Sequence, residues 1–454
     1  MPVAVQNNYS FLSKLKRWMS SSVILIICTV LALVCANVPA LKQWYFGVWE
    51  STMSISIGNF NFFSHNGEPM SLMEVINDFF MAIFFLSVGL EIKREILVGE
   101  LSSRKKAMLP VIGACGGMLI PVLIFWLFCP DDPEMMKGIA IPMATDIAFS
   151  LGILSLFGKR VPTGLKVFLA ALAVADDLGG VIVIALFYSS HINTLYLILT
   201  AVTILLLIIC NKLKFSSKAF YITVGLALWY MMLQSGIHST IAGVIVAFCI
   251  PASLKKGTGY YIERIRNNIS RFPVINLVDF SKPVILGNED IHVLKSIESA
   301  ADKLISPLQD MEDHLHVPVN YYVIPLFAFA NAGVDFSLLD ISDLFSGVAL
   351  AIMLGLVVGK FIGIFSFSWL AVKSGIVTLP EKVSWNSFIS VCVICGIGFT
   401  VSMFIADLSY FSSSEAGHML LNKAKLGILC GSLISAVAGC ILLEKSLPKE
   451  KENI

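Results

Sequence analysis

Residues 167–188 read VFLAALAVADDLGGVIVIALFY. The run is long enough to cross a bilayer as a helix, and two adjacent aspartates, Asp176 and Asp177, stand near its centre. An aspartate at the centre of a membrane helix costs about 2.5–3.5 kcal/mol, so the pair costs on the order of 5–7 kcal/mol. A cost of that size is rarely kept for packing, and ionisable groups at mid-membrane mark ion or proton pathways.

The rest of the chain supports a membrane setting. Its 454 residues are 57% hydrophobic and only 14% charged, well below the roughly 25% charge of soluble domains. Mean hydropathy is +0.82. A net charge of +1 gives no reason to invoke nucleic acid. Apolar stretches of about 20 residues mean helices, not barrel strands.

The pattern predicts about twelve spans. They lie near 20–38, 73–92, 107–129, 138–157, 164–188, 193–211, 218–234, 238–253, 321–340, 345–371, 386–406 and 423–443. Lys14, Lys16 and Arg17 precede the first span, and Asn37-Val38-Pro39 makes a poor cleavage site, so that stretch reads as a span and not a signal peptide. Basic residues collect in alternate loops: Lys93, Arg94 and Arg104 to Lys106; Lys159, Arg160 and Lys166; Lys212, Lys214 and Lys218; Lys255, Lys256, Arg264 and Arg266. The opposite loops hold little beyond Lys42 and Lys137. Positive-inside orientation then puts both termini, 1–19 and 444–454, in the cytoplasm. The membrane domain divides into 20–253 and 321–443, separated by a cytoplasmic insertion, 254–320, of mixed charge and helical patches. On the outer side, STMSISIGNFNFF at 51–63 alternates around Gly58-Asn59 and predicts a hairpin.

Further polar features fall at mid-membrane depth. Thr145 and Asp146 follow Pro142 in IAIPMATDIAFSLGIL, and Lys360 lies in MLGLVVGKFIGIFSF. Pro142 removes a backbone donor and crowds the preceding turn, so a broken helix with a polar break is expected there. Gly396 and Gly398, beside Thr400 in VCVICGIGFTVSMF, mark a second break. Non-helical backbone at this depth has to line a cavity or be buried in protein. Asp146 is placed to offset positive half-helix ends and Lys360 negative ones. Successive helical residues point about 100° apart, so one aspartate faces an ion path and the other faces Lys360. Position alone leaves open which does which.

Asp78 lies near the outer end of the second span, where it either lines an entry path or meets headgroups. Glu91 and Glu95, one turn apart, make either an acidic funnel mouth or a solvated helix end. His238 opens the eighth span as a hydrogen-bonded helix start or a pH-sensitive group. Gly355, Gly359 and Gly363, with Gly113 and Gly117, read as close-packing surfaces. Cys392 and Cys395 form C-x-x-C inside a span, where packing is the simple reading. Carboxylate and carbonyl oxygens suit hard cations, not zinc or copper. Burial and a like charge nearby disfavour an ionised carboxylate, so such a site trades protons at cellular pH. Oxygens that hold a proton cannot also hold Na⁺, and a site opening to one side at a time becomes a cation/proton exchanger.

The stretches INDFFMAIFFLSVGLEIKRE, AIPMATDIAFSLGIL, ALAVADDLG, SGIHSTIAGVIVAFCIP, VIPLFAFANAGV, CGIGFTVSMFIA and AKLGIL resemble the NhaA-type sodium/proton antiporter family over about residues 20–443. The resemblance implies an all-α integral membrane protein of about twelve transmembrane helices. Helices three to five repeat ten to twelve in inverted topology, and two discontinuous helices cross. It implies exchange of cytoplasmic Na⁺ or Li⁺ for external H⁺ in a bacterial inner membrane, with no cofactor. Carried over, Asp177 is the ion and proton carboxylate (the site of the transported Na⁺, with Asp176), and Asp176 is its gating partner, paired with Lys360. Asp146 and Thr145 sit at the crossing. Asp78, Glu91, Lys93, His238 and Glu312 fall at positions tied to the ion path or pH response. The hairpin matches a homodimer contact. Two departures stand out: the 254–320 insertion is longer than the family's connection, and Phe361 stands where proline is expected.

The pair also invites comparison with intramembrane aspartyl proteases. Those need aspartates on separate helices, with a GxGD motif that this chain lacks. A cation channel or a non-transporting sensor on the same scaffold is the other alternative.

Overall fold

The computed structural model describes residues 21–448 apart from 59, 66, 130–131, 188–192, 255–256, 271–286, 381–382 and 411–414. Helix α1, Ser21–Asn37, bends by 110° into α2, Pro39–Glu50. Pro39 opens α2 where no backbone donor is required, and Val38 before it is extended. Sequence pattern placed a loop here. The helix forms because Tyr45 and Trp49 bury one face, and the Tyr45 hydroxyl donates to Phe329 O at 2.5 Å.

Two hairpins follow. Strand β1, Ser56–Ile57, pairs antiparallel with β2, Phe60–Asn61, with Gly58 at positive φ between them. This is the expected hairpin, although Asn59 lies outside the described residues. A second hairpin, β3 (Ser64–His65) with β4 (Glu68–Pro69), was not foreseen.

Helix α3, Leu72–Leu97, starts at a capping box of Ser71 and Glu74 and contains a π-helical turn at Ile76–Phe80. Then come α4 (Arg104–Phe128), α5 (Ile147–Leu156), α6 (Thr163–Phe187), α7 (Thr194–Lys212), α8 (Lys218–Ser235) and α9 (Ile241–Cys249). The insertion holds α10 (Thr258–Ile269), α11 (Asn288–Asp302) and α12 (Pro307–Pro318), in line with its helical patches. A π-helical turn, Val319–Val323, leads into α13, Ile324–Asn331. Helix α14, Gly347–Lys373, carries another such turn at Gly355–Gly359, directly before Lys360. The chain ends with α15 (Trp385–Ile394), α16 (Phe399–Tyr410) and α17 (Glu415–Ser446).

Among the described residues, eight helical segments are long and apolar enough to cross a membrane, or nine if the bent α1–α2 pair counts. The expected spans outside those eight are the first, seventh, eighth and ninth. Helices α9 and α13 have only 9 and 8 residues; Gly236 at positive φ closes α8 before α9, and a π-helical turn precedes α13. Outward faces are apolar. On α7, Leu195, Ile198, Val202 and Leu205 are all exposed at helical spacing, which suits a lipid surface and not water.

Helices α4 and α14 meet across glycines. A Cβ added at Gly363 would fall on the Gly116 carbonyl, and one at Gly359 would meet the Pro121 backbone. We expect Gly363→Val to force these helices apart and lower the thermal midpoint of the detergent-solubilised protein, an overpacking cost of about 1–3 kcal/mol. An unchanged melting curve would rule out this contact as a packing determinant.

Candidate functional site

Residues Ile141–Met143 make one 3₁₀ turn around Pro142, and Ala144 is extended before α5 begins. On the other side α15 stops at Ile394, and Gly396 to Gly398 pass to α16. The interruptions touch: the Asp146 amide donates to Ile397 O at 2.7 Å. Gly398 allows this approach, since a Cβ there would lie 3.1 Å from Ala144 O and 2.9 Å from a Leu356 methyl.

Asp146 caps two helices with one carboxylate. Its Oδ1 accepts from the Phe149 amide at 3.0 Å, and its Oδ2 accepts from the Thr400 amide at 3.0 Å and hydroxyl at 2.6 Å. Phe149 lies in the first turn of α5 and Thr400 in that of α16, so the negative charge faces two positive helix ends. Thr400 is the partner that sequence reasoning did not rank as a site residue. The polar interruption of an apolar run was its only signal.

The aspartate pair diverges as helical geometry requires. Asp176 points into protein, where its Oδ2 is in contact with the Lys360 ammonium and accepts from the Thr145 hydroxyl at 2.6 Å. Both members of the ion pair are buried, Lys360 completely. The Thr145 hydroxyl also lies 3.2 Å from Cys395 O, which ties the pair to the end of α15. Asp177 receives no hydrogen bond from the described residues. It faces a cavity of about 630 Å³, which also touches Asp146 and Thr400.

At the other end of that cavity stand Glu91, Arg94, Glu312 and His316. Arg94 bridges Glu312 at 2.6 Å and Glu95 at 3.2 Å. This joins the insertion helix α12 to α3. Burial pushes the Glu312 carboxyl above the usual carboxylate range, and the Arg94 charge offsets only part of that rise. Glu91 and Glu312 therefore line the same cavity as Asp177.

Three expected site residues lie elsewhere. Lys93 donates to the carbonyls of Phe248, at 2.7 Å, and Ile250. It caps the end of α9, an arrangement that favours a cation. Asp78 accepts from the Ser239 hydroxyl at 2.6 Å, and His238 Nδ1 lies 3.0 Å from the Thr240 hydroxyl. Both sit toward the hairpin end, outside the cavity lining. No group of three or more His, Cys, Asp or Glu side chains among the described residues is arranged to hold a resident metal. Cys392 and Cys395 are buried and free.

The family model described as Na⁺/H⁺ antiporter 1 matches residues 13–443. The chain is 51% identical to the Na⁺/H⁺ antiporter NhaA of Bacteroides fragilis over 432 residues, 95% of this chain and 97% of the relative. It is 50% identical to that of Phocaeicola vulgatus over 444 residues, 98% and 97% of the two chains. With that of Glaesserella parasuis the identity is 42% over 426 residues, 94% and 93%. The aspartate pair, the touching helix breaks and this whole-length similarity place the chain in the Na⁺/H⁺ antiporter 1 family.

Proposed function

We propose that the chain exchanges cytoplasmic Na⁺ or Li⁺ for external H⁺ across a bacterial inner membrane by alternating access. One observation carries the reading. Of the buried carboxylates that line the cavity or flank it, Asp176 is neutralised by Lys360 and Asp146 is saturated by two helix ends, whereas Asp177 faces the cavity and is paired with none of the described residues. A carboxylate so placed binds a proton or a hard cation, and one excludes the other.

In this reading Asp177 is the exchange site. Asp176 and Lys360 hold the neighbouring helices in register and change partners as the site turns. Asp146, Thr145 and Thr400 steady the touching breaks, which are the crossing of two discontinuous helices in a twelve-span fold with inverted repeats. The insertion end, carrying Glu91 and Glu312, faces the cytoplasm with both termini, and the hairpin end faces out. Glu91 and Glu312 respond to cytoplasmic pH at the funnel mouth, and Asp78 and His238 belong to the outer path. The hairpins join two copies in a homodimer. The chain uses no cofactor, and its partners are Na⁺, H⁺ and the surrounding lipid.

Everted vesicles holding an acid interior test the exchange. Na⁺ or Li⁺ added outside should collapse the proton gradient. Cation entry without proton movement would mark a channel instead, and no response to either ion would contradict transport.

A further inference from the structure

One buried polar cluster plays no part in the exchange described so far. Asp407 lies on α16 seven residues beyond Thr400. Seven residues make two helical turns within about 20°, so the two side chains share a face, about 10 Å apart along the axis. Between them Phe404 packs its ring against Phe85 at 5.4 Å, His238 at 5.8 Å and Phe327 at 6.4 Å. These rings separate the cavity end at Thr400 from Asp407.

The carboxylate of Asp407 is only 6% exposed and is held by neutral groups. Its Oδ2 accepts from Asn77 Nδ2 at 2.6 Å, and Asn77 Oδ1 accepts from Asn331 at 2.8 Å. Amides orient a charge but do not balance it. Lys425, on α17, is 5% exposed and makes no hydrogen bond or ion pair with the described residues. Its charge and that of Asp407 act on each other without ion-pair contact. An amine and a carboxylate are thus buried within electrostatic range and not joined. The π-helical turn at Ile76–Phe80 carries Asn77, a form of backbone frequent at functional sites.

We propose that Asp407 is a second proton-exchanging carboxylate, the outer acceptor that passes protons across the Phe404 barrier to Asp177, with Lys425 as its alternate partner. The proposal rests on the exchange reading and its orientation. External water gives a proton to the Asp407 carboxylate. When the ring barrier opens, that proton moves to the Asp177 carboxylate as Na⁺ leaves outward. Asp407 is left charged, and the Lys425 ammonium offsets the charge until the next proton arrives. The other ionisable groups facing Asp407 are Glu74 and Asp78 from α3, with His238 on the far side of Phe404. The α13 helix and the Ile141–Met143 turn bring none.

Reconstituted vesicles with pH set independently on each side test this. Asp407→Asn mimics the protonated side chain. Asp407→Asn/Lys425→Gln removes both charges and serves if the single variant does not fold. In wild type the exchange rate should follow external pH. In the variant we expect the rate at alkaline external pH to fall on the order of 100-fold, as for loss of a positioned proton-transfer group. The KM for cytoplasmic Na⁺ should stay unchanged. A folded variant with the wild-type rate and external-pH profile would overturn the proposal and leave the cluster a packing device. A wild-type protein without exchange would instead overturn the functional reading.

Discussion

Asp177→Asn should abolish Na⁺-driven proton movement while leaving the protein folded. The substitution is nearly isosteric, and Asp177 makes no hydrogen bond to the described residues that an amide would break. The cavity touching it should keep its shape beside Asp177, because Asp146 and Thr400, two of its other polar walls, are fixed by each other. What is lost is the group that alternately carries a charge and a proton. An asparagine offers a neutral carbonyl, which neither releases a proton nor attracts Na⁺ with a full charge. Exchange in vesicles should therefore fall to the level of vesicles lacking the protein, with an unchanged thermal midpoint. Retained exchange would remove Asp177 from the role assigned here. Lost exchange with lost folding would be decided by Asp177→Glu, which keeps a carboxylate.

Lys360→Met should have the opposite character, a large loss of stability. The ammonium and the Asp176 carboxylate are both buried, and no other cation is paired with Asp176 among the described residues. Removing one partner of a buried pair leaves an uncompensated charge and costs about 3–5 kcal/mol. Replacing both partners with neutral groups of similar volume is often close to neutral. The double variant Lys360→Met/Asp176→Asn should therefore recover most of the thermal midpoint lost by Lys360→Met alone. A Lys360→Met protein as stable as wild type would show that Asp176 is neutralised in some other way, for instance by holding a proton itself. The two variants also separate the roles within the pair: Asp177→Asn spares the fold, and Lys360→Met does not.

The costly features were the legible ones. Two aspartates in an apolar run, a lysine in another, and Pro142 beside Asp146 each carry a penalty that propensity and hydropathy expose directly. Helical geometry alone required Asp176 and Asp177 to diverge, and they do. The hairpin around Gly58 was visible because alternation and turn residues are local signals. Features made by tertiary contact stayed hidden. Asp407, Lys425, Asn77 and Asn331 come from four helices, and only the tertiary fold brings them together. Thr400 gains meaning only because Asp146 reaches it from a helix break some 250 positions earlier. The α2 helix forms because Tyr45 and Trp49 find a surface to bury against, which no local pattern announces. Lys93 has the right charge for an ion path but is taken up by the end of α9.

The central claim is that one carboxylate holds either Na⁺ or a proton. Equilibrium Na⁺ binding to the purified protein, titrated against pH, tests it most directly. If Asp177 binds the two in competition, the apparent Na⁺ affinity weakens about tenfold for each unit of falling pH once the site is protonated. Na⁺ addition to unbuffered protein then also releases protons. Na⁺ affinity that stays constant through that pH range, with no proton released, would contradict the account.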